Sequence, residues 1–192
     1  MDLFLIPVQL MIIGIFVFRS TIIGWFPKSI RDIYTLIADD MKLEVRSSWK
    51  TIFIPIILIV LAYFAWILFC NYFFNTFPIV PITDIPFAVD SILLAPFSEQ
   101  IAQGFFLTLF FLFFSRVIKI NWVVCIFCFV GLILTSYLLT SVHDNPQILN
   151  FYLRFFLFMI YGTLYLLNER NLLPAIVAHT TWNVISMNQI SF

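Results

Sequence analysis

An all-α membrane protein, a polytopic transmembrane helix bundle of about six spans, is what this sequence predicts, and three observations predict it. Hydrophobic residues make up 62% of the chain and charged residues only 10%, where soluble chains run at roughly 45 to 50% and about 25%. The apolar residues gather in runs that approach or reach the ~20 residues a helix needs to cross a bilayer hydrocarbon core. Lysine and arginine fall mostly in alternate connections between those runs, the pattern left when cytoplasmic loops retain the positive charge. Residues 1–192 then form a single membrane domain, with a two-span N-terminal region over 1–75 and a core over 90–190.

The first span covers about Leu3 to Trp25, with Arg19 near its end free to snorkel toward headgroups. It has neither a basic n-region nor a small-residue cleavage site, so it reads as a retained span and not as a signal peptide. Segment 27–50 mixes charges of both signs with Ile30, Ile33, Leu36 and Ile37 at helical spacing, which predicts an amphipathic interfacial helix. The second span is Thr51 to about Phe74, and Pro78, Pro81 and Pro86 mark the connection after it. A third begins near Asp90 and runs through a phenylalanine-rich stretch to Ser115, closed by Arg116 and Lys119. The fourth runs from about Asn121 to Val142 and stops at His143-Asp144-Asn145-Pro146. A fifth covers about Leu149 to Leu167 and a sixth about Leu172 to Met187.

Connections 27–50, 116–120 and 169–171 hold Lys28, Arg31, Lys42, Arg46, Lys50, Arg116, Lys119 and Arg170, while 76–89 and 143–148 hold no lysine or arginine. Both chain ends then lie outside, with Arg154 in the first turns of the fifth span running against the pattern. A net charge of zero without a basic run offers no footprint for nucleic acid. Cys70, Cys125 and Cys128 lie in apolar stretches, where a thiol behaves as a small hydrophobe. The CxxC formed by Cys125 and Cys128 lacks partner ligands for a redox or metal role. Paired broken helices, the mark of many transporters, are missing as well.

Several polar residues stand where apolar ones are expected. A carboxylate near the middle of a span costs about 2.5 to 3.5 kcal/mol, so Glu99 is by default a functional-site candidate. Gln100 adjoins it, and Gln103 shares its face one helical turn on. The chain has two histidines: His143 closes the fourth span and His179 lies inside the sixth, with Asn183 one turn further on the same face. Three spans each contributing one polar position point to one shared site. In such a site Glu99 is the candidate general base and His143 can orient water or carry its proton. His179 and Asn183 are candidate donors to an oxyanion. The same Glu99, His143 and His179 also form a one-carboxylate, two-imidazole set able to hold a catalytic zinc with one position open. The cofactor expectation is therefore none or zinc.

The block APFSEQIAQGFF, then His143, then GTLYLLNERNLLPAIVAHTTWN resembles the CPBP family of intramembrane proteases, which includes CAAX prenyl endopeptidases and bacteriocin-processing or bacteriocin-immunity proteins. The resemblance implies a multi-pass protein of the cell membrane that hydrolyses a membrane-associated or prenylated peptide, with Glu99 and His143 on the water and His179 and Asn183 on the oxyanion. Departures are specific. The family's EExxxRG becomes SEQIAQG here, so one acid and the arginine are replaced, Gln100 or Ser98 standing for the acid and Gln103 for the arginine according to register. Leu139 stands where FxxxH has phenylalanine. Those departures leave a second expectation open, a non-catalytic scaffold or immunity-type protein that uses the polar cavity to hold a partner.

Overall fold

The structure, a computed structural model, describes residues 5–18, 21, 28–45, 49–74, 89–143 and 148–187. Within them the chain forms helices α1 (Leu5–Val17), α2 (Lys28–Asp40), α3 (Ile54–Phe74), α4 (Ala95–Val117), α5 (Asn121–Ser141), α6 (Ile148–Leu167) and α7 (Leu172–Met187). A wide π turn leads into α3 at Trp49–Phe53 and into α4 at Asp90–Leu94. The end of the first span at Arg19 and Trp25, the connection at Pro78, Pro81 and Pro86, and the turn at Asp144, Asn145 and Pro146 lie outside the described residues.

Among the described residues four segments are long and apolar enough to cross a membrane: Trp49–Phe73, Asp90–Val117, Asn121–Ser141 and Ile148–Leu167. The protein is thus an integral, multi-pass membrane protein. Among the described residues α1 and α7 are shorter, 13 and 16 residues. The third span outruns its expected end at Ser115, since α4 continues through Arg116 to Val117. On the outer faces Leu61, Phe64, Leu68, Phe113, Trp122, Ile126, Phe129 and Leu138 are all exposed. This is the expected solution when the solvent is hydrocarbon and only the backbone must be satisfied internally.

Helix α4 is central, packed by α1, α2, α5, α6 and α7, while α3 covers α7 from the far side. Two glycines allow the close approaches. A Cβ on Gly104 would stand 2.8 Å from Leu172, and one on Gly162 would run into Leu132 and come 2.9 Å from Gln103. Small residues play this part wherever membrane helices pack by shape, because lipid removes the hydrophobic drive between them. Hydroxyls inside α5 bond back along their own helix, Thr135 to the Gly131 carbonyl at 2.9 Å and Thr140 to that of Ser136 at 2.7 Å, so that they do not need water in an apolar setting.

Helix α2 lies within the segment 27–50 and turns Ile37 into the core while leaving Ile33 exposed. Beyond α2 the chain is clamped to the turn between α6 and α7. Lys42 and Asn171 form a parallel bridge, with the Lys42 N–H on the Arg170 carbonyl at 2.9 Å and the Leu172 N–H on the Lys42 carbonyl at 2.8 Å. Asn171, fully buried, donates to the Glu44 carbonyl at 2.6 Å and accepts from the N–H groups of Glu44 and Leu173. Arg170 pairs with Asp40, its Nη2 donating to Oδ1 at 3.0 Å and its Nε lying 2.5 Å from Oδ2 off the hydrogen-bond axis. Its guanidinium also lies 4.3 Å over the ring of Phe111, a favourable cation–π placement.

Candidate functional site

The other polar focus is on the far side of the bundle, around Glu99. Phe111, beneath the clamp, follows Glu99 by twelve residues on α4, and at 1.5 Å per residue the two foci stand about 18 Å apart along that helix. Glu99 is the tenth residue of its 28-residue span, short of the middle, on the turn that follows the π turn and Pro96. Its Oε1 lies 3.2 Å from Nε2 of His143, and its Oε2 lies 3.7 Å from Nε2 of His179. One carboxylate from α4 therefore stands between an imidazole just beyond α5 and another on α7. Exposure grades across the three side chains, at 9% for His179, 16% for Glu99 and 28% for His143.

His143 reaches this place because α5 stops at Ser141 and the next residues turn. Its Nδ1 donates to the Leu139 carbonyl at 2.6 Å, since a carbonyl can only accept. Nε2 and the Glu99 oxygen then share the remaining proton. Burial pulls the His143 pKa down, but the hydrogen bond and charge of Glu99 and the Leu139 carbonyl outweigh it, and the ring sits above its ordinary value.

His179 is held by three neighbours. Gln100, buried beside Glu99, has its Nε2 3.1 Å from Nδ1 of the ring. Tyr161 stacks on the imidazole at 4.6 Å and 16° between planes. Phe158 stands edge-on to it at 5.8 Å and is also 5.8 Å from the His143 ring, so a single phenyl group packs against both histidines.

Asn183 turns its amide to the Ser91 carbonyl at 2.6 Å, and Thr180 donates to that of Ile92 at 3.1 Å. Both acceptors belong to the π turn, where the widened helix leaves carbonyls open to side chains of α7. Gln103 bridges α4 to its neighbours, its Nε2 donating to the Phe158 carbonyl at 2.8 Å and to Ser136 Oγ at 3.3 Å. It is a packing staple one turn below the carboxylate. Glu99, His143, His179 and Gln100 are thus brought together, while Asn183 and Gln103 flank them with their amides bonded to backbone.

Three residues at this focus have no counterpart among the sequence candidates. Phe158 and Tyr161 line it but lie in a run so rich in aromatics that residue type carries no signal. Asp90 is buried at the head of the π turn that leads into α4. Its acidic side chain at a span boundary was the available clue. The Tyr161 hydroxyl, Glu99 Oε2 and Asp90 Oδ1 are buried with no hydrogen-bond partner among the described residues.

A sequence profile described as type II CAAX prenyl endopeptidase Rce1-like matches residues 81–185. No curated protein and no solved structure matches the chain.

Proposed function

The chain belongs to the type II CAAX prenyl endopeptidase Rce1-like family of intramembrane proteases, and from that premise we propose that it cleaves a peptide bond of a membrane-associated or prenylated peptide with water activated by Glu99. The observation that carries the reading is the Glu99 carboxylate standing between two imidazole nitrogens, 3.2 Å from His143 and 3.7 Å from His179. Water bound at this carboxylate gives a proton to Glu99 as its oxygen attacks the peptide carbonyl carbon. The carbonyl oxygen becomes the tetrahedral oxyanion, which His179 and the second amide hydrogen of Asn183 would stabilise as donors. Collapse breaks the C–N bond, and the amine leaves with the proton held by the Glu99–His143 pair.

Zinc chemistry would draw on Glu99, His143 and His179, which have donor atoms of the right kind. Their nitrogens and oxygens instead face one another at hydrogen-bonding and ion-pairing separations, and no group of three His, Cys, Asp or Glu among the described residues is arranged to hold a metal. The reading proposed is the metal-independent one, with zinc dependence left to the chelation test. Its rival is a non-catalytic binder, favoured by Gln103, which is bonded into the helix packing where the family motif has an arginine.

The test is cleavage of a prenylated CAAX peptide by purified protein in lipid nanodiscs. Wild type should cut, a chelator should leave the rate unchanged, and Glu99→Gln and His179→Ala should each lose at least about 10²-fold. Cleavage by Glu99→Gln at the wild-type rate would remove the glutamate mechanism. A chelator-sensitive rate with stoichiometric zinc would replace it with the metal version. No cleavage, with a peptide retained equally by wild type and both variants, would leave the binder.

A further inference from the structure

The two histidines differ in what holds the ring nitrogen turned away from Glu99. On His143 that nitrogen meets the Leu139 carbonyl at 2.6 Å, a group that only accepts. On His179 it meets the Nε2 of Gln100 at 3.1 Å, a group that only donates. Opposite partners impose opposite tautomers. Nδ1 of His143 bears hydrogen, which frees its Nε2 to take a proton. Nδ1 of His179 presents its lone pair to Gln100, which puts the hydrogen on Nε2, the nitrogen facing Glu99.

The ring of His179 has little freedom to escape this arrangement. Tyr161 covers one face and Phe158 closes one edge, and Gln100 itself is 1% exposed on the same turn of α4 as Glu99. From these contacts we infer that Gln100 is a positioning residue: its amide N–H on Nδ1 fixes His179 as a hydrogen-bond donor toward the reacting centre and leaves Glu99 and His143 as the proton-accepting pair. Two imidazoles around one carboxylate would otherwise be chemically interchangeable. A glutamate at position 100 would have the reverse effect, accepting from Nδ1–H and leaving Nε2 as an acceptor or the whole ring as a cation. The glutamine therefore sets polarity at the site and is more than a missing acid.

Only the kinetic arm of the test rests on the hydrolase reading. Tag-free protein labelled with ¹⁵N-histidine gives signals from two imidazoles, assigned by repeating the spectrum with His143→Gln. Wild type is expected to show His179 in its Nε2–H form and His143 protonated at Nδ1. In Gln100→Glu, His179 should gain a proton at Nδ1, and kcat on the prenylated peptide should fall on the order of 10²-fold with KM little changed, as for loss of one oxyanion donor. An Nδ1–H form of His179 in wild type overturns the proposal without any variant, as does a Gln100→Glu spectrum identical to wild type. Absence of cleavage beside the expected spectrum removes the hydrolase reading and leaves the role of Gln100 standing.

Discussion

The two polar foci of this bundle are built from similar residue types and differ in how completely they are satisfied. At the clamp, Asn171 has a partner for both ends of its amide and Lys42 is bonded through both its N–H and its carbonyl, while the two buried atoms there without a hydrogen bond, Arg170 Nε and Asp40 Oδ2, face each other as an ion pair, with Phe111 under the guanidinium. At the Glu99 focus, one carboxylate oxygen, the Tyr161 hydroxyl and an Asp90 oxygen lack hydrogen-bond partners among the described residues. An unpaired buried polar group costs roughly 1 to 3 kcal/mol, so a fold that needed only stability would resemble the clamp. Unused bonding capacity next to titratable groups marks the place where a reactant can be received.

That contrast can be broken by mutation, and the largest effect belongs to the carboxylate. Glu99→Gln should lower kcat about 10³-fold, in line with loss of a general base, while the melting temperature in detergent stays close to wild type. A melting drop as large as that of a core variant would show Glu99 to be structural. Asn171→Ala should do the opposite. It strands partners in a fully buried place and should destabilise by roughly 2 to 4 kcal/mol, read by thermal unfolding, with the turnover of protein that remains folded changed less than about threefold.

Gly162→Ala is expected to cost about 1 to 3 kcal/mol by pushing the new methyl against Leu132 and Gln103, and unchanged stability would mean that α5 and α6 slide apart freely. Tyr161→Phe preserves the stack on His179 and removes one hydroxyl. A fall of about tenfold in kcat, the worth of one hydrogen bond, would place that hydroxyl among the groups meeting substrate, and an unchanged rate would confine Tyr161 to holding the ring. The smallest effect expected is a pH dependence. Because the His143 pKa is raised in the fold, its pairing with Glu99 contributes in full below the ordinary histidine value of about 6.5 and is lost as pH climbs through the raised one. Wild type should therefore lose more melting temperature than His143→Gln between about pH 6 and pH 9.

Much of this architecture was legible in advance, because apolar run length registers directly in composition. Glu99, His143 and His179 stood out for the same reason, as ionisable groups inside greasy segments. Other features have no local signature. The clamp joins Glu44 to Asn171, which are 127 residues apart, and its turn places Glu169 and Arg170 at φ of 55° and 61°, a conformation usually announced by glycine. Phe158 and Tyr161 are hidden among 25 phenylalanines and 7 tyrosines. The roles of Gln100 and Gln103 depend on which neighbour each amide meets, something spacing along one helix does not specify.

The π turn at Asp90–Leu94 also limits how a peptide reaches the carboxylate. Its open carbonyls hold Thr180 and Asn183, and lower down Gly104 lets Leu172 press against α4, so the seam between α4 and α7 is stitched at two heights. Past the end of α5, the His143 imidazole at 28% exposure is the most open of the three groups. A substrate arriving by that route meets the histidine that takes up a proton before the one that gives a hydrogen bond.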